Sequence, residues 1–88
     1  MTIFEYADVA NLNIEIIRYH NQDGRYRAAF EDCDLKDGNF LQSVSGNGKS
    51  ANDALEDYIN RIMDKTIIYM ASSDKYRHEF IVPNYLTV

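Results

Sequence analysis

Residues 51–62 limit the folds open to this chain more than any other stretch, because an amphipathic helix needs a flat apolar surface to cover. Ser50 is placed to cap the first turn with its hydroxyl. Gly46 and Gly48 permit a sharp turn just before the helix. The apolar residues recur at steps of three and four, which places them on one stripe of a helix: Ala51, Ala54, Leu55, Tyr58, Ile59 and Ile62.

The segments on both sides of this helix have the alternation and the β-branched and aromatic content of strands. Residues 2–10 fit either a short strand or a helical turn. The order of elements predicts an α+β fold, in which an antiparallel sheet of about five strands carries one amphipathic helix on one face. We predict a hairpin turn at 21–24, a polar loop at 32–39, and strands at 12–20, 25–31, 40–45, 66–71 and 77–82.

Length and composition are those of one small folded domain. Eighty-eight residues suffice for one core, so we interpret residues 1–88 as a single two-layer domain. The longest apolar run, 67–71, is too short to span a bilayer, and the N-terminus lacks the basic start of a signal peptide. A lone cysteine, Cys33, excludes an intrachain disulfide. We therefore expect a cytoplasmic protein with no membrane partner.

The formal net charge of −5 is concentrated in residues 31–64. On the predicted helix, Asp53, Glu56 and Asp57 form a negative face, which is a candidate surface for a protein partner. Because an acidic surface repels phosphates, we expect a protein partner and not nucleic acid. Neither the partner nor the oligomeric state follows from the charge.

Basic and aromatic residues flank the predicted hairpin turn at 21–24 and a second hairpin turn, which we predict at 72–76. Arginine and tyrosine on strands can pair phosphates and stack on bases, and they are also common at the centres of protein interfaces. Cross-strand charge pairing that protects a sheet edge is the interpretation that the acidic balance of the chain favours. The basic residues at these turns are Arg18, Arg25, Arg27, Lys75 and Arg77.

Two patterns that resemble ligand sites fail on their spacing. Gly48-Lys49-Ser50 lacks the glycine that a phosphate-binding loop has five residues earlier, where this chain has Ser43. Asp32, Asp34 and Asp37 miss the spacing of a calcium loop by one residue, and Ser43 stands where that loop needs its bidentate glutamate. We therefore predict no metal site and no cofactor.

The nucleophilic residues of the chain do not form a recognisable catalytic pattern. Cys33 and either His20 or His78 are the residue types of a nucleophile and a base, but no catalytic signature surrounds them. We predict no catalytic residues and no enzymatic activity.

The central part of the chain carries a resemblance to known proteins. The hairpin turn Asp23-Gly24-Arg25-Tyr26, a strand, a loop and a serine-capped helix with Ala54-Leu55 resemble the small domain of HicB-type antitoxins. They equally resemble small uncharacterised proteins that phages and prophages of Gram-positive bacteria carry. The resemblance covers residues 14–62 and describes a fold more than a site.

This resemblance implies a small non-catalytic protein-interaction module of phage or mobile-element type. The alternatives are an antitoxin-like inhibitor of a nuclease toxin and a nucleic-acid-binding module that uses the basic hairpins. The antitoxins usually have a proline-glycine-cysteine loop where this chain has Glu31-Asp32-Cys33-Asp34. They often continue into a DNA-binding segment where this chain predicts a second hairpin. No functional residue is therefore transferred.

Overall fold

A computed structural model describes residues 1–20 and 24–88, so most of the predicted turn at 21–24 lies outside the described residues. The fold is α+β, and the N-terminal segment is a helix. Within the described residues the chain forms two helices and seven strands, in the order α1 (Ile3–Ala10), β1 (Ile14–Tyr19), β2 (Arg25–Phe30), β3 (Cys33–Asp37), β4 (Phe40–Gln42), β5 (Gly46–Gly48), α2 (Ala51–Ile62), β6 (Thr66–Tyr69) and β7 (His78–Ile81).

The strands form two antiparallel sheets, which corrects the prediction of a single sheet of about five strands with one helix. The first sheet has the order β1-β2-β5 and the second the order β4-β3-β6-β7. One long hairpin, β2-β3 against β4-β5, contributes to both sheets. Its pairing stops at Ala28↔Gly46 and resumes at Leu35↔Gln42, so six residues lie opposite three. This mismatch bends the hairpin and divides the sheet, as a large bulge does.

Residues 33–37 form the strand β3, although the sequence analysis predicts a polar loop at 32–39. Leu35 is the residue that decides this, because its side chain is buried and its backbone lies between Gln42 and Ile67. Pairing on both sides outweighs the low strand propensity of the flanking aspartates. Only residues 40–42 of the predicted strand at 40–45 form a strand, β4, and a separate strand, β5, follows at 46–48, where the sequence predicts a turn.

Helix α2 confirms the prediction made from its periodicity. The Ser50 hydroxyl accepts a hydrogen bond from the Asp53 backbone N–H at 3.0 Å and caps the first turn. The buried residues of the helix belong to the predicted stripe, and they join one cluster with residues of both sheets, such as Phe30 and Ile67. The buried members on the helix are Ala54, Leu55, Tyr58, Ile59 and Ile62.

Gly46 and Gly48 do more than permit a turn, because they form β5, on which α2 lies directly. A Cβ atom at Gly46 would collide with the Ala54 carbonyl oxygen and the Tyr58 amide nitrogen. A Cβ atom at Gly48 would lie 2.7 Å from the Ala54 nitrogen. The first sheet therefore contacts α2 through backbone atoms at a separation that only glycine allows.

Helix α1 begins with a capping box. The Glu5 backbone N–H donates to the Thr2 hydroxyl at 3.1 Å, and the Thr2 N–H donates to the Glu5 carboxylate at 3.0 Å. The two ends of the chain also meet here. The Ile3 N–H donates to the Thr87 carbonyl at 2.7 Å, and the Thr87 N–H donates to the Met1 carbonyl at 3.1 Å. The C-terminal segment thus fixes the start of α1.

Aromatic rings fill the joint between the two sheets. Tyr6 of α1 lies 6.3 Å from Phe30 of the first sheet and 6.3 Å from Phe80 of the second, measured between ring centroids. Phe30 in turn meets Tyr58 of α2 edge to face at 5.5 Å. Helix α1 therefore packs the region where the bent hairpin leaves the sheets unpaired.

Candidate interaction surfaces

The acidic face predicted on α2 consists of two unpaired carboxylates and one that has a structural partner. Asp53 and Glu56 are exposed, and neither takes part in an ion pair among the described residues. Asp57 accepts the Asn47 backbone N–H at 2.9 Å and the Arg61 Nε–H at 3.0 Å. The hydrogen bond from Asn47, reinforced by Arg61, lowers the pKa of the Asp57 carboxyl. Asp57 therefore anchors α2 to β5, and this use differs from the predicted one.

A groove of about 310 Å³ adjoins the acidic face on the side of the C-terminal segment. Glu56 and Asn60 lie along its α2 wall, and apolar side chains line most of the remainder: Ile59, Met63, Leu86 and Val88. A carboxylate beside an apolar groove suits a lysine or arginine, whose aliphatic stem is apolar and whose head is charged. We call this feature the α2 groove.

The basic residues of the first hairpin are divided between the two faces of the first sheet. Directly opposite residues on paired strands point to the same side, so Arg18 shares its face with Tyr26, on the side of α2. The Arg18 guanidinium lies 5.9 Å from the Tyr26 ring centroid. Arg27 lies on the other face, where its Nη1 donates to the Tyr19 hydroxyl at 3.4 Å.

The basic residues near the second predicted turn make contacts with their own loop. Lys75 Nζ lies 5.3 Å from the Tyr76 ring centroid, and Arg77 Nη1 donates to the Ala71 carbonyl at 3.3 Å. This loop starts at Met70, whose N–H donates to the Asp32 carbonyl beyond the end of β2. Arg25 lies at the other end of β2, about 20 Å away for six extended residues. The structure therefore does not join the two basic groups into one patch.

An acidic cleft of about 820 Å³ lies at the bend of the long hairpin and was not predicted from the sequence. We call it the bend cleft. Its walls include Ser43, Val44 and the segment 70–73. The acidic run after β2 is visible in the sequence, and the pairing of Glu15 with Ala29 in the first sheet adds a fourth carboxylate beside it. Arg27 also lines the cleft. The carboxylates that line the cleft are Glu15, Glu31, Asp32 and Asp34.

Cys33 lies half-buried in β3, and not in a loop. Burial raises the pKa of its thiol to about 12, and the neighbouring Asp32 and Asp34 add to the shift. Among the described residues its sulfur has no histidine within hydrogen-bonding distance, and His78 Nδ1 lies 3.4 Å from the Tyr76 carbonyl instead. A thiol with this pKa is protonated at neutral pH and is a poor nucleophile.

The described residues thus form an α+β fold whose surface features are charged faces, a groove and a cleft. Comparison with family models, curated proteins and solved structures found no match to this chain. In the described ranges, no group of three or more histidine, cysteine, aspartate or glutamate residues is arranged to hold a metal ion. Neither described helix is long and apolar enough to cross a membrane.

Proposed function

We propose that this chain is a small non-catalytic protein-interaction module of phage or mobile-element type. Its working surface is the acidic face of α2 with the α2 groove, and its partner is a protein with a basic patch. The observation that carries the proposal is that Asp53 and Glu56 are exposed and unpaired on a helix beside a partly apolar groove. The resemblance to phage proteins supplies the biological setting.

Rigidity of α2 supports this assignment. The helix is held by its buried stripe, by direct contact with Gly46 and by the hydrogen bond between Asp57 and Asn47. A surface that is already ordered loses little conformational entropy on binding, so more of the interaction energy appears as affinity.

The α2 groove gives the surface a specificity that charge alone lacks. A lysine or arginine of the partner would place its stem along the half-buried Met63 and Val88 and its charged head at Glu56. Polar pairing at the rim of an apolar contact is the usual arrangement of a protein interface.

A protein partner is favoured over nucleic acid by the distribution of the basic residues. Arg18 and Arg27 contact tyrosines, Arg77 contacts a backbone carbonyl, and the chain as a whole carries −5. A nuclease toxin has the basic surface that the proposed partner requires, so an antitoxin-like inhibitor is the second candidate. Electrostatic steering would speed the encounter in either case.

Matched bait variants test the proposed surface. Asp53→Asn with Glu56→Gln neutralises the α2 face, while Asp8→Asn with Asp74→Asn removes the same charge from exposed positions elsewhere. We expect a basic protein captured by the wild-type chain to be captured by the control and lost by the α2 variant. With the purified pair, the difference in association rate should shrink as salt is added. Equal capture by both variants would contradict the proposal.

Nucleic-acid titration tests the alternative class. Near physiological salt we expect no RNA or DNA complex tighter than the non-specific range, on the order of 10⁻⁵ M. Submicromolar binding that disappears in the double variant Arg25→Ala, Arg27→Ala would place the basic hairpin at the centre of function instead.

A further inference from the structure

The face of the first sheet that points away from α2 carries basic residues toward one end and acidic residues toward the other. Ala28, Gly46 and Gly48 face α2, so by alternation the neighbouring residues of each strand point to the opposite side. We call this opposite side the outer face. Its residues are Glu15, Ile17 and Tyr19 of β1, Arg25, Arg27 and Ala29 of β2, and Asn47 of β5.

The charges on the outer face change sign along the strands. Arg25 and Arg27 lie toward the hairpin end, and Ile17 pairs with Arg27. Glu15, paired with Ala29, lies toward the other end, where the bend cleft adds Glu31 and further carboxylates. The face therefore runs from basic at Arg25 to acidic at Glu15 and Glu31 over about 20 Å of strand. Arg27, which also lines the bend cleft, lies between the two ends.

We propose that this outer face is a self-complementary surface through which two copies of the chain associate. A two-fold axis that lies across the strands between Ile17 and Glu15 places Arg25 of one copy opposite Glu31 of the other, and Arg27 opposite Ala29 and beside Glu15. The same contact forms twice. A partner that is uniformly basic would be repelled by the arginines, and a uniformly acidic one by the carboxylates. A second copy has the required opposite polarity.

The outer-face charges are available for such pairing. The described ion pairs join Lys36 to Glu79 and Arg61 to Asp57, and neither lies on this face. Arg27 is held by the Tyr19 hydroxyl, which keeps its guanidinium close to the sheet surface. The bend cleft leaves room for an arginine to reach the carboxylates.

The expected dimer is weak and sensitive to salt. Two strands of six residues and one of three, at about 4.8 Å spacing, give a face of at most about 15 Å by 20 Å, below the usual size of a stable interface. Each copy also carries −5, which opposes association. The acidic face of α2 points away from the contact, so most of the like charge stays apart. This interface is separate from the α2 surface, and either can fail without the other.

A charge-swap experiment tests the inference. Arg25→Glu with Arg27→Glu makes the outer face wholly acidic, and Glu15→Lys with Glu31→Lys makes it basic. Sedimentation velocity of the wild-type chain from about 10 to 500 μM should show a concentration-dependent rise in sedimentation coefficient, and high salt should abolish it. Each variant alone should stay monomeric, and an equimolar mixture should regain association to within about threefold of the wild type.

Control variants separate the effect of the outer face from the effects of net charge and of misfolding. Asp8→Asn with Asp53→Asn changes net charge on the two helices, away from the outer face, and should leave association unchanged. If a charge-swapped variant fails to fold by circular dichroism, Arg27→Gln and Glu31→Gln replace it and should each weaken association at least about fivefold. A wild-type chain that is monomeric at every concentration overturns the proposal and leaves a different partner of mixed charge for this face. A mixture that fails to associate overturns it as well.

Discussion

Helix α2 meets β5, the edge strand of the first sheet, through backbone atoms, whereas the second sheet meets the core through side chains. In the first sheet, Gly46 leaves no space for even one methyl group. In the second, Leu35 and Ile67 contribute their full side chains to the same cluster. A contact of the first kind tolerates no added atom, while one of the second kind loses stability with each atom removed.

The free edges of the two sheets differ as well. The second sheet ends in β4 and β7, where Phe40 is 75% exposed and Ile81 is 71% exposed. On the first sheet, the large apolar residues of β1 are more covered, and Ile16 is 40% exposed. At the exposed edge positions of the second sheet, a substitution should therefore change the free energy of unfolding little, in contrast to a substitution in β5.

Gly46→Ala should have the largest effect. The added methyl group would collide with backbone atoms of Ala54 and Tyr58, so either α2 or β5 must move, and we expect a loss of about 4 kcal/mol or more in the free energy of unfolding. Urea denaturation measures this loss. Gly38→Ala is the control, because Gly38 has φ of +62° and open space around it, and should cost only about 1 kcal/mol. Equal losses would show that α2 does not rest on β5.

Leu55→Ala and Ile67→Ala should each cost about 3 kcal/mol. Both side chains are 1% exposed, the first on α2 and the second in the second sheet, and both belong to one cluster. Thermal unfolding followed by near- and far-ultraviolet circular dichroism should remain a single transition in each variant. Two separate transitions, or a negligible loss for Ile67→Ala, would mean that the two sheets do not share a core.

Asp57→Asn should cost about 1–2 kcal/mol near neutral pH, because it weakens a charge-assisted hydrogen bond to β5. The pKa of Asp57 lies below the usual value of 3.8, so its contribution is present above that value and is lost as pH falls through the lowered folded-state pKa. Denaturation at a series of pH values should show a smaller acid loss in the variant. Asp53→Asn is the control within the same helix, and an identical acid profile for wild type and Asp57→Asn would refute the anchoring role.

Phe40→Ser should have the smallest effect, within about 0.5 kcal/mol, because the ring is largely exposed at a sheet edge. Its melting temperature should stay close to that of the wild type. A loss above about 1.5 kcal/mol would show that this ring is covered in solution. The edge of the second sheet would then tolerate substitutions less well than we expect.

Local signals were sufficient for some elements of the fold. The period of the apolar residues predicts α2, and the apolar run that contains Ile67 and Ile68 predicts a central strand, observed as β6. Strand β3 escaped prediction because a single apolar residue, Leu35, is buried there, and pairing with distant strands decides its conformation. The division into two sheets follows from a mismatch in pairing that no local pattern contains.

The candidate surfaces show the same limit. Helical spacing predicts that Asp53, Glu56 and Asp57 share one face, but only tertiary structure shows that Asp57 accepts a hydrogen bond from the Asn47 backbone N–H. The bend cleft joins Glu15 to carboxylates that lie beyond β2 in the chain. Contacts between residues far apart in sequence determine both outcomes.

Backbone hydrogen bonds join Thr87 to Met1 and Ile3, so the first and last residues of the sequence lie side by side. A short peptide joining residue 88 to residue 1 would cross a small gap, and the chain could be reopened at the exposed turn around Gly38 without cutting a core element. For the same reason the domain can be spliced into a surface loop of a host protein, since the host chain would enter and leave it at neighbouring points. The fold is thus suited to circular permutation and to use as a portable insert.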